Sequence, residues 1–297
     1  VTFDGGNYTI TYEGTTEWEG LFKAVANSSF TVQNVTFDLY GSNLASRAGC
    51  ITSENHDSTN FLIENCSWTI DNCHSESSNS KEINGSGAGI CGRGIGYNGG
   101  AVTVTNCSNA LNSTYWNAAG IVAMDGGVNS TTTNSGSSLV IRGCTNTGNF
   151  TSGSHRGGIC GRYCFNKNSN TNNAIFNCHN TGIISGQYNG GICASNVAQN
   201  GGKVVISYCS NTTSTTKMGS NAGGMCGYAA GNSSGIVEIK YCFNSQPIGS
   251  NGGGICGSNC TGITIFNCYN TGNGDSNDSS YYQGGIGGKS SNGLKVY

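Results

Sequence analysis

Residues 253–272 read GGICGSNCTGITIFNCYNTG, three cysteines set among glycines, an alternating Ile-Thr-Ile run and two asparagines. The spacing contains no Cys-x-x-Cys, so it does not match a zinc knuckle. It does recur. Aligned on the glycines, a first series, block A, runs Gly89-Ile90-Cys91, Gly120-Ile121-Val122, Gly158-Ile159-Cys160, Gly191-Ile192-Cys193, Gly224-Met225-Cys226, Gly254-Ile255-Cys256 and Gly285-Ile286-Gly287. Degenerate earlier copies are Ala48-Gly49-Cys50 and Gly20-Leu21-Phe22.

A second series, block B, places two alternating apolar residues before a cysteine. The copies are Phe61/Ile63 before Cys66, Val102/Val104 before Cys107, Leu139/Ile141 before Cys144, Val204/Ile206 before Cys209, Val237/Ile239 before Cys242 and Ile263/Ile265 before Cys268, while Cys178 keeps only Ile175. Two residues after the cysteine stands Asn109, Asn146, Asn180, Asn211, Asn244 or Asn270, with Trp68 after Cys66 as the departure.

Blocks A and B alternate along the chain with a period of roughly 30 to 41 residues, which is the range of solenoids and arrays. Period-two apolar alternation means strands, and recurrence without reversal means parallel stacking. The expected fold is all-β, a parallel β-helix (β-solenoid) forming a single domain over residues 1–297, with about nine coils of roughly 30–40 residues. At ~4.8 Å per coil the rod would be on the order of 43 Å long. Inward Ile and Val fill the core, and the glycine pairs are expected to allow positive-φ corners and close backbone packing. The Asn after each cysteine is expected to occupy a left-handed corner and to stack into a hydrogen-bonded ladder. A single proline, Pro247, agrees with strands flanked on both sides. The segments between Asp71 and Ser86 and between Asp125 and Ser138 read as polar loops.

Composition excludes several classes. Hydrophobic residues make up 35% and charged residues 9%, with 49 Gly, 16 Cys and a formal net charge of -2. Disordered chains are highly charged and poor in cysteine, so low complexity here does not mean disorder. No basic patch suits nucleic acid, and no run of ~20 apolar residues suits a membrane span. Only four histidines, His56, His74, His155 and His179, are present and they are scattered, so the cysteines point to disulfides in an extracellular setting rather than to zinc. The chain begins at Val1 with no signal peptide, as expected of a mature or excised secreted segment.

The residues GGICGSNCTGITIFNCYNTG, GGICGRYCFNKNSNTNNAIFNCHNTG and GLFKAVANSSFTVQNVTFDLYG resemble GLUG-motif repeats, found in surface proteins and as non-catalytic repeats beside some immunoglobulin-cleaving metallopeptidases. Phe266-Asn267 and Phe176-Asn177 are more weakly similar to the GGAI and FxxN repeats of polymorphic outer-membrane proteins. The resemblance implies a β-solenoid on a secreted or cell-surface protein without catalysis of its own. Cysteine is denser here than in the usual GLUG pattern.

Val35 and Val122 replace cysteine in blocks B and A, which marks both positions as buried. Equivalent cysteines of adjacent coils fall within bridging range, as do A and B cysteines of one coil. Joining each A to the following B leaves the fewest orphans and gives Cys50–Cys66, Cys91–Cys107, Cys160–Cys178, Cys193–Cys209, Cys226–Cys242 and Cys256–Cys268, with Cys73, Cys144, Cys164 and Cys260 unassigned. Among the Asn-x-Ser/Thr sequons, Asn84, Asn112, Asn129, Asn232 and Asn277 lie in loop-like sequence and are the expected glycan carriers, while Asn65 and Asn106 directly precede cysteines and are expected to face the core.

No enzyme or cofactor is expected. Eleven of fifteen carboxylates precede residue 83, and beyond it Asp125, Glu238, Asp275 and Asp278 share no repeat position, whereas glycoside chemistry needs a facing pair. Asp4, Glu13, Glu17 and Glu19 read as a solvated first-coil cap. Cys73-His74 and Cys178-His179 are strand neighbours and should point to opposite faces. An ice-binding threonine array is broken, because the sites equivalent to Thr103, Thr105 and Thr264 hold Lys240, Glu238, Arg142 and Phe176. The expected role is an extracellular rod, part of a surface protein or a filament subunit, with copies of itself or adjacent repeats as partners at the solenoid ends. The alternative is an adhesin that binds glycan or protein through Phe176, Phe266, Tyr269, Phe243, Tyr163, Tyr188, Tyr281 and Tyr282. The closing NGLKVY reads as a block B strand just starting, so a continuing chain or another subunit is expected to cover that end.

Overall fold

Each described block B run forms a strand, because branched residues alternating with polar ones suit a pleated chain buried on one face. In chain order the strands are β1 (Thr2–Tyr12), β2 (Ser29–Leu39), β3 (Ser67–Glu76), β4 (Ala101–Thr105), β5 (Ser108–Asn109), β6 (Ser138–Arg142), β7 (Thr145–Asn146), β8 (Ala174–Phe176), β9 (His179–Asn180), β10 (Lys203–Ser207), β11 (Ser210–Asn211), β12 (Ile236–Lys240), β13 (Phe243–Asn244), β14 (Ile263–Phe266), β15 (Tyr269–Asn270) and β16 (Lys295–Val296). The structure is a computed structural model that describes residues 1–55, 66–129, 137–213, 216–274 and 284–297.

The strands stack in parallel, β1-β2-β3-β4-β6-β8-β10-β12-β14-β16 along one long face and β5-β7-β9-β11-β13-β15 along a short one, with the long β1, β2 and β3 serving both. A third wall is made by single-residue parallel bridges in block A, running Phe22, Thr52, Cys91, Val122, Cys160, Cys193, Cys226, Cys256 and Gly287. The molecule is therefore a parallel β-solenoid.

The corner between the two strand faces lies one residue before the block B cysteine, at Asn106, Gly143, Asn177, Tyr208, Tyr241 and Asn267, whose φ values run from 48° to 63°. This corrects two expectations. The Asn residues two positions after the cysteine are not the left-handed corners, and the second glycine of each block A pair does not take positive φ. Those glycines serve close packing. The segment after Asp71 is also only partly a loop, since β3 continues to Glu76. Of the second polar segment, residues 130–136 lie outside the described residues.

Two apolar clusters run along the rod. One combines the inward Ile, Val and Cys of the long face with block A; the other holds Phe37, Leu39, Leu44, Ile83, Leu111, Phe150, Ile184, Met218 and Ile248. Among the described residues no helix is long and apolar enough to cross a membrane.

Candidate functional site

The seam between the two clusters is polar. Asn109 donates through Nδ2 to Asn146 Oδ1 at 2.7 Å, Asn146 to Asn180 at 2.7 Å, Asn180 to Asn211 at 2.7 Å, Asn211 to Asn244 at 2.8 Å and Asn244 to Asn270 at 2.7 Å. The ladder expected from the sequence is thus present. Asn109, Asn146, Asn180, Asn244 and Asn270 also donate to the carbonyl two residues on, so both amide hydrogens of the first four are used. Ser75 takes the first place and donates to Asn109 Oδ1 at 2.8 Å. Opposite the ladder stands the glycine column, where a Cβ on Gly89, Gly158, Gly191, Gly224 or Gly254 would come within 2.1–2.6 Å of the facing Asn side chain. The glycine pair and the asparagine are therefore one device, read from two parts of each repeat.

Sixteen cysteines are free thiols in the structure, all buried except the partly exposed Cys268. Seven form the block B column: Cys73, Cys107, Cys144, Cys178, Cys209, Cys242 and Cys268, each followed by a residue in axial register with its copies. Val35 pairs with Cys73, as its use as a substitute implied. The third-coil copy is corrected: Trp68 and Ile70 pair with Val102 and Val104, so Cys73 holds the column and Cys66 precedes β3. Phe61 and Ile63 lie outside the described residues.

Cys50 is likewise displaced. Gly49 pairs with Ala88 and Thr52 with Cys91, so Cys50 sits at the place of Gly89 and belongs to the second apolar cluster, whereas Cys66 belongs to the first. The two cysteines named for Cys50–Cys66 thus lie in different clusters. The partners of Cys91–Cys107, Cys160–Cys178, Cys193–Cys209, Cys226–Cys242 and Cys256–Cys268 all belong to one cluster. Cys164 and Cys260 gain an explanation. Axial hydrogen bonds place them at one inward position that other coils fill with Ile95, Gly126, Val197 and Ala230. They are core-filling residues three coils apart, and so are no pair for each other.

The outer corner carries an aromatic stack that sequence reading caught only in part. Phe176 meets Tyr208 edge-on at 5.4 Å, Tyr208 stacks on Tyr241 at 5.0 Å, and Tyr241 meets Phe266 at 5.8 Å, with the Arg142 guanidinium 5.2 Å from the Phe176 centroid. Phe243 stacks on Tyr269 at 4.4 Å and Tyr188 sits between His155 and Tyr228. Tyr163 lies under Arg162. Most of these rings are therefore packed against one another, stacked or edge-on. Tyr208 and Tyr241 were missed because nothing in their local sequence signals a turn; their alignment with Asn106, Gly143 and Asn177 does. Tyr281 and Tyr282 lie outside the described residues.

Charged groups gather at one edge. Arg93 binds Asp125 at 2.8 Å and Glu54 at 3.3 Å, and Arg47 approaches Glu54 at 3.4 Å. Burial raises the Asp125 carboxyl above its ordinary value although Arg93 opposes this. With a guanidinium between them, the two carboxylates form an ion-paired cluster. Glu17 accepts from Asn84 at 2.6 Å, and Asp4 accepts from Gly6, Gln33 and Asn34, which lowers its pKa, so these two bind the second and third coils besides facing solvent.

His74 bonds Ser108 at 2.8 Å and His179 bonds Ser210 at 2.9 Å, outside the column that Cys73 and Cys178 face. His155 bonds Ser195 at 2.6 Å, and burial, with Arg162 nearby, lowers its pKa to about 4. Arg156 is fully buried: its Nε donates to the Tyr115 carbonyl at 2.7 Å, and neither Nη finds a hydrogen-bond partner among the described residues. Adjacent coils put Ala118, Asn189 and Ala222 at that place. Among the described residues no group of three or more His, Cys, Asp or Glu is arranged to hold a metal ion.

The glycan candidates separate. Asn112 is exposed and Asn232 half-buried, whereas Asn84 and Asn129 are buried, Asn129 completely. Asn129 Oδ1 accepts from Ser137 at 2.6 Å. Asn277 and Asn65 lie outside the described residues. Asn106, expected to face the core, is exposed at the corner and donates to Asp71 at 3.1 Å.

Compared with protein-family models, with curated proteins and with solved structures, the chain matches none.

Proposed function

We propose that this chain is an extracellular structural rod of the GLUG-repeat kind, part of a cell-surface protein or a filament subunit that extends by end-to-end stacking. The observation that carries this reading is the continuity of its axial columns. Ile or Val, Cys, Asn and Gly recur in register from β4 to β15, so each of these coils presents the template on which the next is laid. The edge at Tyr269 and Asn270 offers ladder positions that a continuing chain or a second copy would cover. Exposed Asn112 and half-buried Asn232 are the more accessible candidate glycan sites, in contrast to the fully buried Asn129. Expression through a eukaryotic secretory pathway with glycopeptide mapping tests the location: occupied Asn112 or Asn232 on secreted, folded chain supports it, and retention of aggregated chain without glycan opposes it.

A second reading, an adhesin, is favoured by Tyr208 and Tyr241. Both keep a left-handed backbone, φ 55° and 54°, that is costly for a bulky side chain and that other coils assign to Asn or Gly. Screening on a glycan array tests it, with loss of any signal in Tyr208→Asn as its mark.

A further inference from the structure

The block B column sets seven thiols in one line. Consecutive strands lie ~4.8 Å apart, inside the ~4.4–6.8 Å Cα range that a disulfide spans. The geometry repeats at every coil: the thiol of Cys107 reaches the Ile70 carbonyl at 3.9 Å, Cys178 that of Ile141 at 3.6 Å, and Cys242 that of Ile206 at 3.7 Å. Each sulfur thus leans toward the preceding coil. At both ends of the column the amide of one cysteine donates to the sulfur of the next, Cys73 to Cys107 at 3.4 Å and Cys242 to Cys268 at 3.3 Å. Only Cys268 meets solvent.

We infer that the column is an oxidation site for low-molecular-weight disulfides, which convert it to three axial disulfides between neighbouring coils and leave one thiol that migrates along it by exchange. The Cys268 thiolate attacks the small disulfide RSSR, forming a mixed disulfide and releasing RS⁻, which takes up the proton. Cys242 then attacks the Cys268 sulfur, expels the second RS⁻ and closes the axial bond. Two protein thiols are oxidised and one RSSR is reduced to two RSH. In each migration step the thiolate below a bridge attacks its nearer sulfur and expels the farther one, so one S–S bond breaks, one forms, and the thiol moves two coils outward. The three sulfurs lie along the rod axis, which is the in-line arrangement this displacement needs.

Because the column has an odd number of members, the remaining thiol is confined to Cys73, Cys144, Cys209 or Cys268. This holds wherever a small disulfide reaches the protein and does not depend on the proposed location. The test takes the reduced full-length chain, oxidises it with glutathione disulfide, blocks remaining thiols with N-ethylmaleimide under denaturing quench, and maps peptides without reduction. Adjacent-coil pairs are expected, with column label only on those four residues. In Cys73→Val, a change matched by Val35 one coil below, the label on Cys268 should fall at least about tenfold although the site is ~29 Å away. Cys268→Ser should slow column oxidation at least about tenfold by removing its entrance. Bridges across the core such as Cys193–Cys209, a column that stays fully reduced, or Cys268 labelling unchanged in Cys73→Val each overturn the inference.

Discussion

Gly89 lies against Asn109 so closely that a Cβ at position 89 would stand 2.1 Å from Asn109 Oδ1. One coil earlier the same two places hold Cys50 and Ser75. A side chain has entered the glycine column where the ladder residue is shorter. Gly89→Ala should therefore cost about 2–3 kcal/mol, as overpacking of a closed core does. Adding Asn109→Ser should return about 1 kcal/mol of this, in part only, because the Gly120 carbonyl also lies 2.6 Å from that Cβ. Urea unfolding of the two single variants and the double variant measures the coupling; strict additivity would contradict the pairing of columns.

The middle of the ladder should matter more than its end. Asn180→Leu leaves an Asn146 N–H and the Asn211 Oδ1 without partners in a buried seam, while the Gly182 carbonyl keeps Thr213 Oγ1. At about 1–3 kcal/mol per buried unsatisfied group, partly relaxed, the cost should be about 3–5 kcal/mol. Asn270→Leu, at the half-buried end, should cost about 1 kcal/mol. Equal losses at the two sites in denaturant unfolding would contradict a cooperative ladder.

Acid should weaken the rod through His155. Its folded pKa, about 4, lies below the ordinary 6.5, so the unfolded chain binds more protons between these values. The stability tied to the neutral ring is full above pH 6.5, falls through that window and is lost below pH 4. The shift corresponds to about 3 kcal/mol, reduced to about 1–2 kcal/mol by solvent screening of the part-exposed ring. His155→Asn places there the residue that Asn117, Asn221 and Asn251 supply at equivalent left-handed corners, and should remove this slope. The difference in unfolding midpoint between pH 7 and pH 4.5, compared for the two chains, checks it.

Arg156 spends stability in a core position. A buried guanidinium with two Nη groups unpartnered among the described residues is poorer than a well-packed apolar side chain of similar volume, so Arg156→Met should raise stability by about 1–2 kcal/mol. A lower urea midpoint in the variant would show instead that the guanidinium is held by an anion or carries a role of its own.

The fold was legible because its two signals are periodic. Val102 and Val104, or Ile263 and Ile265, expose one buried face of a strand, and Asn recurs two places after each cysteine. Register failed in the coils where identity and position part company. Asn65-Cys66 and Asn72-Cys73 both match the local motif, and only the following residue separates them: a Trp68 side chain does not fit a seam closed by glycine, whereas Ser75 does. Cys50 was likewise aligned by residue type rather than by place. The corner tyrosines and the charge cluster at Arg93 depend on contacts between coils, which no local window contains.

The central claim is that each coil templates the next and that the rod extends by the same contact. Negative-stain electron microscopy of the purified chain over a range of concentrations tests it most directly. The account predicts rods of constant width whose length grows with concentration in steps of about 43 Å, set by the number of stacked coils. Uniform short particles under every condition would contradict it.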